Sequence, residues 1–587
     1  MKAQKEIESF AKNERSSKSS WLWIFLTVTI SALLSVAIQR LFFLQNSTRV
    51  GATNCHPPLP NVFAFAPLRN DSAEIAAALR AIDKSIQTSY SKGGIDGLVL
   101  AIVTREGVLY ETGIGPLKAN ETDPEKRGAV DRHSIFRIAS GSKLFAALET
   151  FILRERGALQ CHQFLPDFAY ASGTWANRSA EETSGPITLR QLASHMSGLT
   201  REFPRGNMKN WPHSLEGTGP PPVNGRPFPT TAEMIDGLKN YPLTVPTYSY
   251  SLYSNVGVAV LGQVNVAANR AFEMAKQQTG SPETWADLAQ RDIFDPLGLN
   301  GTSFVVTPHN KAHVAVASAD SDEVDLDFLE PMSCSGGQMS SLSDYVKVMQ
   351  TILDPARPES LLPPHVIREW LRPIQGWMDD TTEVGMLWEI EKIRDSYARP
   401  IRIFQKLGVL GASRSVFAIN QDMSYGVALL MTGTVPTSTA AGDIVLDIFR
   451  HLQPTLDRIL TVSAARRYAG GWMSAGGDGS EIFIRVAEGS LWVTKLFLQG
   501  TDVLRLVHHI PDDDRRSKAE PITLWSTGRR DEFRMVFASA SKSCVSAWTA
   551  VDDGFSRGFP TDLLYFSEED ENIYLHMPSV GLVFSRN

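Results

Sequence analysis

The chain has 587 residues, of which 43% are hydrophobic and 21% charged, with a formal net charge of -7. That length exceeds one ordinary domain, and the composition supports buried cores, which excludes a largely disordered polypeptide. The mild acidity, with no basic run interleaved with aromatics, argues against a nucleic-acid partner.

Residues 1–20 are polar and carry Lys2, Lys5, Lys12, Arg15 and Lys18; the uncharged run WLWIFLTVTISALLSVAI, Trp21 to Ile38, follows. Such a run, at ~1.5 Å rise per residue, reaches roughly 27 Å, close to a bilayer core. The expectation is a transmembrane signal anchor over 21–44 behind a cytosolic tail, since basic residues are denser before the run. The alternative is a cleaved signal peptide ending near Ser35-Val36-Ala37 and a secreted product. Either way the remainder lies in the lumen or outside. Five N-x-S/T sequons at Asn46, Asn70, Asn120, Asn177 and Asn300 agree with that compartment as glycosylation sites. All four cysteines, Cys55, Cys161, Cys334 and Cys544, also follow the anchor. Four cysteines allow three pairings, among which spacing does not choose, and it gives no metal pattern. No metal or cofactor is expected.

Residues 45–70 read as a stalk. The period of Ser72 to Tyr90 predicts an amphipathic helix with Asp71 as its cap. Gly97 to Gly115 predicts two strands around a turn at Arg105-Glu106-Gly107. In Ile135 to Leu153, IFRIASGSKLFAALETFIL, Ser140 and Lys143 stand three apart at a helix start. Arg201 to Thr231 is a long Pro-, Gly- and Asn-rich loop, a length usually kept for function or disorder. Helical pattern returns at Ala232 to Leu238, Val256 to Ala275 and Pro282 to Phe294. Strands follow at Ile401 to Phe404, Ser415 to Ile419 and Tyr425 to Met431, then a helix at Ala440 to His451. After about Thr461, short runs such as EIFIRV and SLWVTKLFL alternate with turn residues, which predicts a small all-β barrel or sandwich. The expected division is therefore a catalytic domain over 71–455 and a β domain over 461–587.

Alone, S-x-x-K fits a helix cap and an exposed cation as well as it fits a nucleophile. Its context is more specific. ITLRQLASHMSGL (Ile187 to Leu199), SLYSNVGVAVLG (Ser251 to Gly262) with Tyr253-Ser254-Asn255, and Lys406-Leu407-Gly408 on a strand follow it in order. With IFDPLGL at Ile293 and GGQMSSLSD at Gly336, this set resembles the penicillin-binding-protein and serine β-lactamase superfamily, over roughly residues 85–450. It is most similar to β-lactamase-like esterases and transacylases that use Ser, Lys and Tyr. The appended β domain resembles one carried by fungal members, whose relatives suggest a role in secondary metabolism. The resemblance implies an α/β (α+β) β-lactamase/transpeptidase-like fold, with an antiparallel sheet flanked by helices and a separate α-helical region.

A Lys one helical turn beyond a Ser shares its face, so Lys143 can reach the hydroxyl of Ser140. The resemblance implies that Ser140 is the nucleophile, Lys143 a base or proton relay, and Tyr253 the partner base. A phenol titrates near ~10, so Tyr253 needs the field of Lys143 and Lys406 to act at neutral pH. Asn255 would hold the lysine and orient the substrate. The oxyanion would be met by the N–H groups of Ser140 and Val409, with Gly408 leaving room for the substrate. The centre of the K-T-G pattern is Leu407 rather than Thr. A hydroxyl that helps to bind a β-lactam carboxylate is missing, which favours a small-molecule ester, lactone, amide or thioester, with water or a second substrate as acceptor. The competing expectation, from the same departure and the large β domain, is a catalytically silent binding protein.

Other motifs carry less. Gly554-Phe555-Ser556-Arg557-Gly558 matches G-x-S-x-G but lacks the strand–helix setting of a nucleophile elbow, so a turn is expected. His309 and His313 lie beside Pro308 and Asn310 in a loop-like stretch without a metalloprotease glutamate. His195 is expected to order its loop by hydrogen bonds, and Cys334 to be packed or disulfide-bonded.

Overall fold

The computed structural model describes residues 55–159, 187–319, 322–435, 440–537, 544–552 and 554–587. The Trp21–Ile38 run, the sequons Asn46 and Asn177, and Cys161 lie outside them. Among the described residues no helix is long and apolar enough to cross a membrane. The described chain falls into two compact units, one over 60–463 and one made of 55–59 with 464–587.

The larger unit begins with helix α1, Ala73–Ser91, whose buried Ile75, Leu79, Ile82 and Ile86 form one stripe. Its cap is Ser72 rather than Asp71. The Ser72 hydroxyl accepts the Ile75 N–H at 3.1 Å, since the helix starts at Ala73 and the extended residue just before it is the serine. Strands β1, Gly97–Thr104, and β2, Gly107–Ile114, flank the expected turn. β1 is buried along its whole length and continuously apolar, as befits a strand covered on both faces. Helix α2, Ser142–Glu155, is buried on every side from Ser142 to Leu153, which puts the helix that follows Ser140 in the middle of this unit. Helices α3, Asn255–Ala275, and α4, Leu329–Gly336, pack closely: a Cβ on Gly262 would sit 2.4 Å from the Cys334 sulfur. The helix expected over Pro282 to Phe294 is an α turn at Trp285–Ala289 that widens into a π turn at Gln290–Phe294.

After α5, Leu342–Leu353, come strands β3 (Gln375–Gly376), β4 (Thr382–Val384), β5 (Glu389–Arg394), β6 (Pro400–Leu410), β7 (Ser413–Asn420) and β8 (Tyr425–Thr432). They join the first two in one sheet of order β2-β1-β8-β7-β6-β5-β4-β3, antiparallel throughout. Gly426 lets α5 approach one face, since a Cβ there would meet Met349 Sδ at 2.4 Å. Tyr425, one residue away and so on the opposite face, has its ring 5.2 Å from Phe449 of α6, Ala440–Tyr468. The sheet is thus sandwiched between helices. α6 runs well past the expected His451, through Pro454 and through the expected join at 455–461. Leu452, Leu456 and Leu460 are buried on either side of Pro454, and that burial sustains the helix across the proline.

In the second unit, strands β9 (Gly470–Ser474), β10 (Glu481–Ala487), β11 (Ser490–Leu498), β12 (Ile522–Ser526), β13 (Glu532–Val536), β14 (Leu563–Glu569), β15 (Asn572–Met577) and β16 (Leu582–Arg586) run in the order β10-β9-β16-β15-β14-β13-β12-β11. β10 also pairs with β11, so the sheet closes into a barrel, not a sandwich. Trp472 and Phe566 pack inside it with rings 5.2 Å apart. Cys55 is bonded to Cys544, which ties 55–59 to this unit, while Cys334 is a free buried thiol. Phe555–Ser556 and Phe559–Pro560 form a small hairpin turned by Arg557 and Gly558, both at positive φ. The G-x-S-x-G match is therefore a hairpin loop.

Candidate active site

The chain turns sharply before α2. Ala139 has φ of 47°, a left-handed conformation that non-glycine residues seldom take, and Ser140 follows it directly. The turn is fixed from inside. The Ser142 hydroxyl donates to the Ala139 carbonyl at 2.6 Å and accepts the Gln338 N–H at 3.1 Å, so Ser142 is a buried brace. Ser140 itself is only half-buried and can be reached.

Three segments converge on it. From α2, the Lys143 ammonium lies 3.0 Å from Ser140 Oγ and donates also to the Ser335 carbonyl of α4. From the turn before α3, the Tyr253 hydroxyl lies 2.7 Å from Ser140 Oγ. From β6, the Lys406 ammonium lies 5.2 Å from the Tyr253 ring centre, with Lys143 at 5.1 Å and Arg201 at 5.0 Å. The phenol thus sits among three cations, with His195 stacked on it at 4.6 Å.

Local sequence explains the placement. Ser254 caps α3 by accepting the Gly257 N–H at 2.8 Å, and its hydroxyl donates to the Thr200 carbonyl at 2.7 Å. Asn255 N–H reaches the Arg201 carbonyl at 2.9 Å, and Leu252 N–H reaches the His195 carbonyl at 2.7 Å. The two motifs around His195 and Tyr253 are therefore stitched together by backbone. His195 Nδ1 accepts the Ser254 N–H at 3.2 Å, which fixes its tautomer. Burial, reinforced by the nearby cations, holds its imidazole neutral.

Electrostatics follow from that crowding. Burial of Lys143, together with the neighbouring Lys406 charge, outweighs the attraction of Tyr253 and Glu202 and draws its ammonium below the usual lysine range. Burial opposes ionisation of Tyr253, but the Lys143 and Lys406 charges overcome it and bring the phenol below its ordinary value. Lys406 is itself fully buried; burial would discharge it, yet Glu389 and Tyr253 hold its pKa above the ordinary range.

Gly408 is required by close approach. A Cβ there would lie 2.0 Å from the Ile138 carbonyl oxygen and 2.3 Å from Ser415 Oγ. Leu407 N–H is bound at 3.0 Å by the Glu389 carboxylate, beyond the end of β5. Alternate N–H groups leave one side of a strand, so that of Val409 points the same way, away from β7. The Leu407 side chain lies against Gly442, where a Cβ would be 2.9 Å from its methyl group. Its place in the pattern is taken by packing, with no hydroxyl offered.

The structure thus gathers Ser140, Lys143, Tyr253 and Lys406 around one point and sets Gly408 and Val409 beside it. Asn255 differs from expectation. Its amide donates at 2.7 Å to Glu202, while the partners of Lys143 are Ser140 and the Ser335 carbonyl. Glu389, Glu202, Arg201 and Ser335 were not foreseen. Glu202 lies three residues beyond the S-H-x-S-G-L stretch, and Glu389 opens a short strand; neither position carries a pattern of its own. Elsewhere, Lys311–His313 is a 3-10 turn in which no regular helix aligns His309 with His313. Among the described residues no group of three acidic, His or Cys side chains could hold a metal. Cys334 donates to the Val258 carbonyl, and burial pushes its thiol up to about 12. Asn70, Asn120 and Asn300 are all exposed.

A helix-flanked antiparallel sheet with a serine at the head of a central helix, a lysine one turn on and a tyrosine opposite defines the serine β-lactamase and penicillin-binding class. The Beta-lactamase family model matches residues 76–449, and the chain belongs to that family, whose members are serine hydrolases. It is 56% identical over 310 residues to the Beta-lactamase-like protein str6 of Strobilurus tenacellus, spanning 52% of this chain and 99% of that one. It is 53% identical over 260 residues to str5 of the same organism, spanning 43% and 92%. The human Putative beta-lactamase-like 1 is 26% identical over 405 residues, spanning 67% and 72%.

Proposed function

We propose that this chain is a serine hydrolase or acyltransferase that acts on an ester, lactone, amide or thioester through an acyl-enzyme on Ser140. The carrying observation is the placement of Ser140 Oγ 2.7 Å from the Tyr253 hydroxyl and 3.0 Å from the Lys143 ammonium. Ionised Tyr253 takes the proton of Ser140, whose oxygen attacks the acyl carbon. The N–H groups of Ser140 and Val409 receive the developing oxyanion. Tyr253, with Lys143 as relay, returns the proton to the leaving group, and the acyl-enzyme forms. Water, or a second substrate, then gives its proton to the same base and takes the acyl group, and the base returns that proton to Ser140 Oγ as its bond to the acyl carbon breaks. Leu407 withholds the hydroxyl that would help to anchor a carboxylate, which turns the reading away from β-lactams.

Fluorophosphonate labelling of the luminal part tests this: strong labelling is expected of the wild type and none of Ser140→Ala. Equal labelling of both removes Ser140, while no labelling together with no turnover of acyl esters, lactones and amides favours a binding protein that keeps the fold. A small alcohol or amine, added during turnover, should divert acyl groups from free acid if the natural acceptor is a second substrate. We place the catalytic part in the secretory lumen or outside, behind the expected anchor at 21–44. The Cys55–Cys544 bond and the exposed sequons Asn70, Asn120 and Asn300 support an oxidising, glycosylating compartment. A role in secondary metabolism is part of this reading.

A further inference from the structure

The long loop from Arg201 to Thr231 has no part in the steps above, yet it is held to one shape. Asn224, itself buried, donates its amide to the Pro204 carbonyl at 3.0 Å. The two sides of the loop touch at a neck: a Cβ on Gly206 would lie 1.8 Å from the Gly217 carbonyl oxygen, and one on Gly217 would lie 2.5 Å from that of Asn207. Residues 208–216 are thereby pinched off as a tip. Turns close it, with the Trp211 N–H reaching the Met208 carbonyl at 3.3 Å and the His213 N–H that of Asn210 at 2.7 Å. Pro204, Pro212, Pro220, Pro221 and Pro222 each fix a backbone angle along the same course. The tip therefore keeps its side chains away from the core: Trp211 is 64% exposed, Leu215 65% and Met208 38%.

Exposed apolar side chains grouped in this way mark a surface that meets a membrane or a partner. The charge of the loop chooses between them. From Phe203 to Pro229 it carries Arg205, Lys209 and Arg226 against a single acid, Glu216, in a chain whose formal charge is -7. Indole, apolar with one polar edge, suits the boundary between headgroups and acyl chains, and a lysine beside it can reach lipid phosphate. The tip also has far fewer residues than the about 20–30 a side of a stable protein interface. We infer that the 208–216 tip docks on a phospholipid surface, with Met208, Trp211 and Leu215 entering the headgroup boundary and Lys209 meeting lipid phosphates. The loop leaves the Ser140 site at Arg201, whose guanidinium lies 5.0 Å from the Tyr253 ring centre. A docked tip thus holds the catalytic site close to the bilayer. The docking is independent of whether Ser140 is the nucleophile.

The test places a nitroxide at the tip. Leu215→Cys in the full chain, spin-labelled and returned to vesicles, is compared with Met274→Cys, an exposed position on α3. The unsubstituted chain, treated alike, supplies the background from native thiols. Relaxation by oxygen, which collects in lipid, is set against relaxation by a nickel chelate, which stays in water. In phosphatidylcholine vesicles the oxygen-to-nickel ratio at 215 should exceed that at 274 severalfold, and it should rise again when phosphatidylserine is added. Lys209→Gln on the labelled chain should lower the ratio of docked to free tip about fivefold in the anionic vesicles, the worth of one cation at such a surface. Trp211→Ser should lower it in both lipids. Equal readings at 215 and 274 in both lipids overturn the inference, as does docking that neither variant changes. A label at 215 shielded from both reagents also overturns it, since that marks a protein partner or a second copy. Trp211→Cys gives the same reading should Leu215→Cys fail to fold by circular dichroism. Fluorophosphonate labelling reads the catalytic assignment separately and should survive each tip variant.

Discussion

Replacing Tyr253 by Phe isolates one atom. The ring is held by stacking on His195 at 4.6 Å and by cations at 5.0 to 5.2 Å, none of which needs the hydroxyl. What disappears is the 2.7 Å contact with Ser140 and the proton acceptor it supplies. One lost hydrogen bond should change stability by only about 1 kcal/mol. Loss of a general base should slow acylation by about 10²- to 10⁴-fold, or roughly 3–5 kcal/mol at ~1.4 per decade. The attraction of Tyr253 that partly supports the Lys143 charge also goes, so the ammonium should drop further below the lysine range. Lys143 then becomes a better base, which sets a floor to the loss. The assay is the pre-steady-state burst of an activated ester, with fluorophosphonate labelling rate as a second readout. A folded Tyr253→Phe protein that acylates at the wild-type rate would refute the assignment and leave Lys143 as the sole base.

Lys406→Met removes one of the two charges that lower the Tyr253 pKa, so the acid limb of kcat/KM should move to higher pH, because the base must be deprotonated to act; a pH profile with an unmoved limb contradicts this. Gly408→Ala drives a methyl group to 2.0 Å from the Ile138 carbonyl, beside the serine turn, and should cost activity and about 1–3 kcal/mol of stability, read by urea unfolding and ester hydrolysis. Cys55→Ser, or reduction of the wild type, should destabilise the barrel unit by about 2–4 kcal/mol, read as a fall in its Tm with and without reductant. Burial would raise the pKa of Asp531, but its hydrogen bonds from Arg467 and Tyr468 hold it below the ordinary carboxylate value. Its stabilising effect is therefore present above the unfolded value near ~3.9 and lost as pH falls through the folded one; acid unfolding monitored by tryptophan fluorescence should be gentler in Asp531→Ala, which starts less stable.

Local chemistry made much of this protein legible in sequence. The strands at 97–104 and 107–114 were readable because unbroken β-branched runs meet at a glycine turn. The S-x-x-K pair was readable because helical spacing alone puts Lys143 over Ser140, and the ordered motifs at 195, 253 and 406 named the remaining partners. Turn residues between short strands likewise announced a small β unit. Tertiary packing decided the rest. Whether that unit was barrel or sandwich depended on the pairing of 481–487 with 490–498, and periodicity is the same in either. The helix expected to end at His451 runs on to Tyr468 because buried leucines on either side of Pro454 offset the hydrogen bond that the proline removes. The pairing of Cys55 with Cys544, at a separation of 489 residues, was one of three open choices. So too the partner of Asn255 is a glutamate 53 positions away, and the cations packed against the Tyr253 ring come from three separate segments. Spacing along the chain reports only what one helix or strand can bring together. Fields and the direction an amide faces exist only once distant segments are in contact.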